Sequence, residues 1–375
     1  MKILFPFVGD SVGGSHLSTL ELYKILKEHE YDVVVLLHES DGPLSKLLKK
    51  SGVEYLEIKT AYLAGESPNI AMILFGMIFN ISPFVKFIKK NNIDIVHGND
   101  LRVNLTWSVA ARIAKIKFIW HQRTILSDSK FWRCITLLCD HFIGISQAVI
   151  NSAPNNINPV KRSLVYNAFD TDTRFDKSSS KNLINKRLPK CQNAIILGCV
   201  GRLVAYKNID FVIRCIPEII STSKVPIHLL VVGTGKGEYT SYLKNIVKDL
   251  NLQSNVSFTG FLGNPSEIIS GLDILIASSS RDAFGRTIIE AMLQSTSVLV
   301  ANKGGHLEIV KNEFDGLLYS ANCKKSFIEK ACALIEDKSL REALASKALE
   351  KSSLKYSKQS LFLAVEKIYK SVTVL

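Results

Sequence analysis

Short apolar runs alternate along this chain with longer segments of helical pattern, and this alternation limits the possible folds more than any other feature. Lys2–Val8, Asp32–His38 and Asp94–His97 are such runs in the first half, and Ala194–Val200 begins a second series. Apolar strands that alternate with helices indicate parallel sheets covered on both faces. The sequence therefore predicts an α/β protein with two doubly wound parallel-sheet domains.

A polar stretch separates the two series. Phe169–Gln192 is rich in Ser, Lys and Asn and includes Lys177-Ser-Ser-Ser-Lys181. Such composition is typical of a connection between domains. The predicted organisation is a first domain over residues 1–170, a linker over 171–192, a second domain over 193–357 and a final helix over 358–375.

Length and composition agree with a globular protein of two domains. The chain has 375 residues, which is too long for one ordinary hydrophobic core. Its residues are 47% hydrophobic and 22% charged, a composition typical of folded rather than disordered proteins. Its seven cysteines form no CxxC pair, so we expect small core residues in a reducing compartment and no zinc site. Gly and Asp follow the strand at Lys2–Phe5 too soon for a signal peptide, which predicts a cytoplasmic protein.

The net charge of +13 suggests an anionic partner. The excess of Lys and Arg is spread along the chain, with no basic ribbon interleaved with aromatic residues and no zinc-finger spacing, so nucleic-acid binding is not expected. An anionic nucleotide or the anionic inner leaflet of the membrane fits the charge equally well.

One apolar segment, Ile70–Phe79, raises the question of membrane contact. Asn80, Pro83 and Lys86 interrupt its continuation, so it is too short to span a bilayer. A core helix is the favoured interpretation. The alternative is a surface that lies peripherally on the inner face of the membrane.

The stretch Ser280–Met292 carries the strongest functional signal. It follows the apolar run Leu272–Ala277 and leads into a helical pattern, so Asp282 is predicted on a loop at a strand's carboxyl end and Glu290 in the first turns of a helix. Ligands of open α/β sheets bind at that edge. Gly285 lets the backbone approach a ligand, and the free N–H groups of the helix start can hold a phosphate.

Two cations occupy the corresponding edge of another strand. Arg202 and Lys207 follow the first strand of the second domain, in Gly201-Arg202-Leu203 and Lys207-Asn208-Ile209. Arg can fork across phosphate oxygens, and Lys supplies a point charge. This pair favours binding of a diphosphate.

These motifs resemble those of glycosyltransferase family 4, the retaining, nucleotide-sugar-dependent glycosyltransferases of group 1 with the GT-B fold. The motif of that family is Glu-x-Phe-Gly-x-x-x-x-Glu-Ala-Met. In this chain Asp282 takes the place of the first Glu. The resemblance implies two Rossmann-like domains that face each other across a cleft, with the final helix crossing back to the first domain. Gly304-Gly305-His306-Leu307-Glu308 resembles the family's following Gly-Gly-x-x-Glu loop, which would line the donor pocket.

The resemblance also implies roles for single residues. Glu290 would bind the ribose, Arg202 and Lys207 the diphosphate, and Asp282 with His121 the transferred sugar, so that Asp282, His121, Arg202 and Lys207 form the catalytic set. The residues that would bind the donor are Gly14, Arg202, Lys207, Phe284, Gly285, Arg286, Thr287 and Glu290. From their positions after the first-domain strands, the residues on the acceptor side would be Gly13, His16, His97, Asn99, Asp100 and Arg123. The alternative for His16 is a surface residue at a helix start, and the alternative for His121 is a buried structural histidine.

The expected activity is therefore transfer of a sugar from a UDP- or GDP-sugar to a glycan or lipid-linked acceptor in surface polysaccharide or glycoconjugate synthesis. The two cations would neutralise the leaving diphosphate, so no cofactor and no metal is expected. Three alternatives stay open: a GT-B nucleotide-sugar epimerase or hydrolase, a non-catalytic nucleotide-sugar-binding protein, and an NAD-dependent dehydrogenase. The last is disfavoured because no GxGxxG follows either first strand.

Overall fold

The computed structural model describes residues 1–60, 70–235, 237–260 and 264–373. They form two compact units, one of residues Met1–Ala168 with Lys358–Leu375 and the other of Phe169–Ser357. Each unit is built on a parallel sheet, as the alternation of strands and helices predicts. Residues 374–375 of the predicted final helix lie outside the described residues.

The first unit has a seven-stranded sheet of order β3-β2-β1-β4-β5-β6-β7. Its strands β1 to β7 are Lys2–Phe7, Asp32–Leu37, Leu56–Glu57, Ile95–Gly98, Lys117–Gln122, His141–Gly144 and Arg162–Leu164. Its helices α1 to α6 are Gly14–Glu28, Pro43–Lys50, Ile70–Lys90, Leu101–Ala114, Lys130–Ile135 and Gln147–Ser152. Short 3₁₀ turns cover Thr136–Leu138 and Pro159–Lys161. The strand order reverses between β1 and β4, where a doubly wound sheet binds its ligands.

The second unit has a six-stranded sheet of order β10-β9-β8-β11-β12-β13. Its strands β8 to β13 are Ile195–Val200, Ile227–Val232, Val256–Gly260, Ile274–Ala277, Ser297–Ala301 and Leu317–Tyr319. Its helices α7 to α13 are Lys177–Arg187, Ile209–Thr222, Gly237–Asp249, Pro265–Ser270, Arg286–Leu293, Lys324–Glu336 and Lys338–Lys355. Three 3₁₀ segments cover Pro189–Cys191, Ala205–Lys207 and Gly304–Glu308. Here the order reverses between β8 and β11.

The last helix, α14 (Lys358–Thr373), belongs to the first unit. Its buried side chains include Leu361, Val365 and Tyr369, which share one apolar cluster with Ile3, Phe5 and other residues from one face of the first sheet. The opposite face of that sheet is covered by a second cluster that includes Phe84 and Trp107. A helix with no strand after it thus completes the core of the unit in which the chain begins.

The polar stretch predicted as a linker, residues 171–192, is part of the second unit. Asp176 caps helix α7 through a hydrogen bond from the Ser179 backbone N–H to its carboxylate at 2.8 Å. Lys181 Nζ lies 2.7 Å from Asp273 Oδ2. The sequence of this stretch resembles a linker because, among the residues of α7, only Ser180 and Ile184 are buried. A surface helix with a capped end and an ion pair along its side needs few apolar residues.

Helix α3 contains the apolar segment 70–79. Its second half is packed as a core helix, since Phe84 is fully buried and Ile88 nearly so. In its first half Leu74, Ile78 and Phe79 are 44%, 67% and 57% exposed, while Met77 is buried. The side chains of Ile70, Met72 and Ile73 lie outside the description. Across the described residues, no helix combines the length and the apolar character that crossing a bilayer requires.

The cysteines are all free thiols, and they divide into two groups. Cys139, Cys191, Cys199, Cys215 and Cys332 are buried, as expected of core residues. Cys134 and Cys323 are exposed, so the expectation of a core position is wrong for these two. Burial raises the pKa of the Cys199 thiol to about 12, which keeps it protonated and unreactive.

Candidate active site

The second unit brings together the residues that follow β8 and β11, at the point where its strand order reverses. Arg202, Lys207, Asp282 and Thr287 line one small cavity there, together with the backbone of Gly201 and the Ser278 side of the β11 loop. The sequence predicts Arg202, Lys207 and Asp282 after two strands that are far apart in the chain, and Thr287 beside the start of a helix. Parallel pairing of β8 with β11 makes them neighbours.

Lys207 and Asp282 form the central ion pair of this cavity. Lys207 Nζ lies 2.9 Å from Asp282 Oδ1 and 2.7 Å from Oδ2, and both side chains are largely shielded from water. Burial opposes the charged carboxylate and is the largest single influence on Asp282. The hydrogen bond to His306 and the charge of Lys207 together outweigh it and lower the pKa of Asp282 below its ordinary value. The acid is therefore ionised throughout the neutral range.

His306 is a third member of this cluster and is not among the site residues that the sequence predicts. Its Nε2 lies 3.3 Å from Asp282 Oδ2, its Nδ1 lies 3.2 Å from the carbonyl oxygen of Ala301, and the side chain is fully buried. The sequence signal was its place in Gly304-Gly305-His306. The resemblance emphasised the glycines and Glu308 instead.

The two glycines of that loop allow the contact. A Cβ on Gly304, whose φ is +61°, would lie 2.7 Å from the carbonyl oxygen of Asp282. A Cβ on Gly305 would lie 2.6 Å from the carbonyl oxygen of Ala283, and the Gly305 N–H donates to Asp282 O at 3.0 Å. The loop after β12 can reach the Asp282 backbone only because both positions lack a side chain.

A run of serines after β11 fixes the turn that carries Lys207. Ser278 Oγ donates to the carbonyl oxygen of Lys207 at 2.7 Å. Ser279 Oγ and the Ser280 N–H donate to the carbonyl oxygen of Tyr206 at 3.1 and 2.9 Å. These bonds hold the β8 loop against the β11 loop. Ser278 and Ser279 precede the stretch Ser280–Met292, so that motif gives no signal for them.

Arg202 is placed differently from Lys207. It is exposed, and its Nη2 donates to the hydroxyl of Tyr206 at 3.1 Å. No carboxylate pairs with it among the residues the structure describes. Its guanidinium is thus available for an anion at the mouth of the cavity.

Phe284, Gly285, Arg286, Thr287 and Glu290, which the sequence predicts on the donor side, lie in or just before helix α11. Gly285 precedes it with a φ of +128°, and Phe284 is buried 6.0 Å from the Tyr356 ring centroid and 6.4 Å from that of Phe169. Arg286 stacks 4.5 Å above the Phe169 ring and donates to Glu290 Oε1 at 3.3 Å. Phe284 therefore packs in the interior and orients the start of the helix, while Glu290 keeps a partly exposed carboxylate.

In the first unit, four of the predicted residues form one network at the ends of β4 and β5. His97, Asn99 and His121 are buried and Arg123 is half-buried, and the Asn99 side-chain amide donates to the His97 carbonyl oxygen at 2.9 Å. His97 Nε2 lies 3.1 Å from His121 Nδ1. Arg123 donates to Asn99 Oδ1 at 2.9 Å and to Asn167 Oδ1 at 2.6 Å. Burial, reinforced by the charge of Arg123, lowers the pKa of His97 and of His121 well below the ordinary value, so both rings are neutral.

The other first-unit residues lie at the starts of two helices. Gly13 precedes α1 and its N–H donates to His16 Nδ1 at 3.0 Å, while Gly14, the first residue of α1, is exposed. Burial lowers the pKa of His16, and its Nε2 has no hydrogen-bond partner among the described residues. Asp100, predicted on the acceptor side, caps α4 by accepting from the Arg102 N–H at 2.9 Å.

In the described parts of both units, no group of three or more His, Cys, Asp or Glu side chains is arranged to hold a metal ion. Arg102, which bonds Asp10 through two guanidinium nitrogens at 2.6 and 3.0 Å, supplies the positive charge near the Asp10 and Asp100 carboxylates.

Comparison with known proteins gives this geometry a family. The model of glycosyl transferases group 1 matches residues 180–351, and the model of glycosyltransferase family 4 matches residues 12–173. Together they account for most of the chain. This chain belongs to the group 1 glycosyltransferases of family 4.

Relatives of this glycosyltransferase extend over nearly its whole length. It is 25% identical over 347 residues, covering 88% of this chain and 86% of the relative, to the UDP-Gal:alpha-D-GlcNAc-diphosphoundecaprenol alpha-1,3-galactosyltransferase of Escherichia coli. It is 22% identical to the N-acetyl-alpha-D-glucosaminyl L-malate synthase of Bacillus anthracis, covering 96% of this chain and 95% of the relative.

Among solved structures, the glycosyltransferase is similar to Anabaena HepE in complex with UDP, with a TM-score of 0.83, 21% identity and complete coverage of both chains. With two parallel-sheet units of this kind, the enzyme has the GT-B fold. The comparisons therefore confirm the family and the fold that the Asp282–Glu290 and Arg202–Lys207 motifs predict.

Proposed function

We propose that this glycosyltransferase moves a sugar from a UDP-sugar to a lipid-linked or polysaccharide acceptor, with retention of anomeric configuration and without a metal ion. The observation that carries the proposal is the cavity where the strand order reverses between β8 and β11. Arg202 and Lys207 supply two positive charges there. The name of the Escherichia coli relative specifies a UDP-sugar and a diphosphate-linked lipid, which supports this donor and acceptor class. The HepE structure contains UDP, which supports the same donor.

The chemistry follows from the charges. As the bond between the anomeric carbon and the diphosphate oxygen breaks, negative charge develops on UDP. Arg202 at the mouth of the cavity and Lys207 inside it would stabilise that charge. The acceptor hydroxyl attacks from the face that UDP leaves, and the departing phosphate oxygen takes its proton. Catalysis then consists mainly of positioning and charge stabilisation, with no enzymic nucleophile.

The decisive experiment compares two lysine variants. Lys207→Gln should abolish the thermal stabilisation by UDP and lower transfer by at least about a hundredfold, because one donor to the leaving oxyanion is lost. Lys248→Gln, on the exposed face of α9, is the matched control and should behave as wild type. Transfer from UDP-sugars to an undecaprenyl-diphosphate-linked sugar, with EDTA and with Mg²⁺, tests metal independence. The product's anomeric proton coupling reports retention.

Other functions predict different results in the same assay. An epimerase or hydrolase would consume the UDP-sugar without an acceptor. A non-catalytic binding protein would be stabilised by UDP without turnover. Stabilisation by GDP alone would show that the donor is a GDP-sugar and not a UDP-sugar. Stabilisation by NAD alone would overturn the proposal altogether.

We further propose that the first half of α3 contacts an anionic membrane surface peripherally, which would bring the enzyme to a lipid-linked acceptor. Ile78 and Phe79 are mostly exposed on this helix. Lys86 lies two helical turns beyond Phe79 on the same face, and it is exposed. Apolar side chains beside cations favour the interface of an anionic bilayer.

Vesicle sedimentation tests this contact. Wild type should bind vesicles that contain phosphatidylglycerol more tightly than pure phosphatidylcholine vesicles. The double variant Ile78→Ser with Phe79→Ser should lose most of that binding. Leu354→Ser, at a position of the second unit that is 72% exposed, is the control and should retain it. Equal binding by both variants would contradict the contact.

A further inference from the structure

Three side chains of the first unit form a hydrogen-bonded chain that none of the sequence motifs contains as a whole. His97 lies on β4, His121 lies on β5 and Tyr369 lies on α14. Both histidines point to the face of the sheet that α14 covers, where Tyr369 belongs to the apolar cluster. His97 and Tyr369 are fully buried and His121 is 2% exposed.

The contacts run in one line. The Tyr369 hydroxyl lies 2.7 Å from His97 Nδ1, and His97 Nε2 lies 3.1 Å from His121 Nδ1. The remaining ring nitrogen, His121 Nε2, is buried and has no hydrogen-bond partner among the described residues. A buried polar atom without a partner costs stability, so it is the natural place for a ligand atom.

The positions of the hydrogens along these three hydrogen-bonded side chains are coupled. A neutral imidazole has one N–H donor and one acceptor nitrogen, so each contact fixes the next. If Tyr369 donates to His97 Nδ1, then His97 donates from Nε2 to His121 Nδ1, and His121 carries its hydrogen on Nε2. In the opposite arrangement His121 would donate from Nδ1 to His97, and His97 would donate from Nδ1 to the Tyr369 oxygen. The Tyr369 hydroxyl hydrogen would then have no acceptor, since His97 is the only partner that the described residues offer to this hydroxyl.

We propose that Tyr369 is a positioning residue that sets the tautomer of His121 through His97, so that His121 presents an Nε2–H donor to an oxygen of the sugar substrate. The tautomer is a property of the free protein, whereas its use on a sugar rests on the proposed function. The C-terminal helix thereby controls the hydrogen-bond pattern at the carboxyl ends of β4 and β5. A phenylalanine at position 369 would keep the packing and remove only the donor that gives the chain its direction.

Nuclear magnetic resonance of the 375-residue chain tests the tautomer directly. With ¹⁵N-labelled histidine, long-range proton–nitrogen correlations distinguish Nε2–H from Nδ1–H rings, and a His121→Asn variant assigns the signal. Wild type should show His121 as the Nε2–H form without any substrate. In Tyr369→Phe the two directions become nearly equal in energy, so His121 should become a mixture. A wild-type Nδ1–H signal, or an unchanged signal in the variant, would overturn the proposal.

Tyr31→Phe is the matched control. The Tyr31 ring lies 6.3 Å from that of Tyr369, and its hydroxyl donates to Glu366 on the same helix at 3.2 Å, outside the chain. This variant should leave the His121 tautomer and turnover unchanged. If Tyr31→Phe altered both as strongly as Tyr369→Phe does, a general packing effect would explain the result and the proposal would fail.

Kinetics tests the use of the tautomer. In Tyr369→Phe, kcat/KM for sugar transfer should fall by the same factor as the population of the Nε2–H form, because only that form is competent. Unchanged kcat/KM beside a mixed tautomer would overturn the role toward the sugar and leave the transferase assignment intact. If no UDP-sugar were turned over by wild type, the proposed function would fail, whereas the tautomer measurement would still decide the hydrogen-bonded chain.

Discussion

Asp282 stands where the family motif has Glu, and its surroundings explain how a shorter acid serves there. Lys207 and His306 both approach it, at 2.7 and 3.3 Å from Oδ2. The glycine loop brings His306 close enough for this contact. Asp282 is therefore held in place by two partners on two different loops, and its charge is part of the folded structure of the second unit.

Removing that charge should destabilise the second unit in a pH-dependent way. Asp282→Asn should lower its free energy of unfolding by about 1–3 kcal/mol at pH 7, because Lys207 loses a shielded partner. The folded-state pKa of Asp282 is lowered, so the pair's contribution is complete above the unfolded-state pKa of about 3.9 and shrinks as the pH falls below it.

Calorimetry of wild type and Asp282→Asn between pH 7 and pH 3.5 measures this difference. Asp249→Asn, at the exposed end of α9, is the control and should show almost no difference at either pH. A difference for Asp282→Asn that stayed constant or grew as the pH fell would contradict the ion-pair explanation.

At the scale of elements, the loop after β12 depends on its first glycine. Gly304→Ala combines a φ of +61° with a Cβ 2.7 Å from Asp282 O, so it should cost about 1–3 kcal/mol and weaken UDP binding. Gly237→Ala meets no atom within 4 Å and is the matched control. Denaturation and UDP titration of the two variants measure the effect. Equal UDP affinities would show that the loop adjusts without moving Asp282.

Helix α14 is the element that completes the first unit. Ile368→Ala should lower the free energy of unfolding of this unit by about 2–5 kcal/mol, because its side chain is only 4% exposed within the sheet-facing cluster. Leu363→Ala, on the same helix and 53% exposed, should change it by less than about 0.5 kcal/mol. Trp107, Trp120 and Trp132 all lie in the first unit, so urea unfolding followed by tryptophan fluorescence reports on this unit. Similar losses in the two variants would argue against the packing of α14.

At the scale of the whole molecule, UDP should stabilise the unit that carries Lys207. A ligand at a hundred times its Kd adds about 2.7 kcal/mol to the free energy of unfolding. For a unit of this size that corresponds to a rise in Tm of roughly 5–10 °C. Scanning calorimetry should show this rise in wild type and not in Lys207→Gln. A rise of the same size in both proteins would place UDP elsewhere.

The sequence alone predicts the alternation of strands and helices, the two parallel-sheet units and the position of Arg202, Lys207 and Asp282 after strands, because each depends on local pattern. Short edge strands such as Arg162–Leu164 and Leu317–Tyr319 were not predicted, since a three-residue strand carries too little pattern to be recognised. The sequence predicts a linker where the structure has the helix Lys177–Arg187, because few residues of this helix face inward.

What only the tertiary structure decided is which side chains meet. His306 reaches Asp282 across a loop contact, and Tyr369 reaches His97 over a separation of 272 residues. No local pattern encodes such contacts, because they depend on the order of strands in the sheet and on where a distant helix packs. The sequence by itself determined which residues stand at the strand ends, and the folded sheets determined their partners, their burial and their charge.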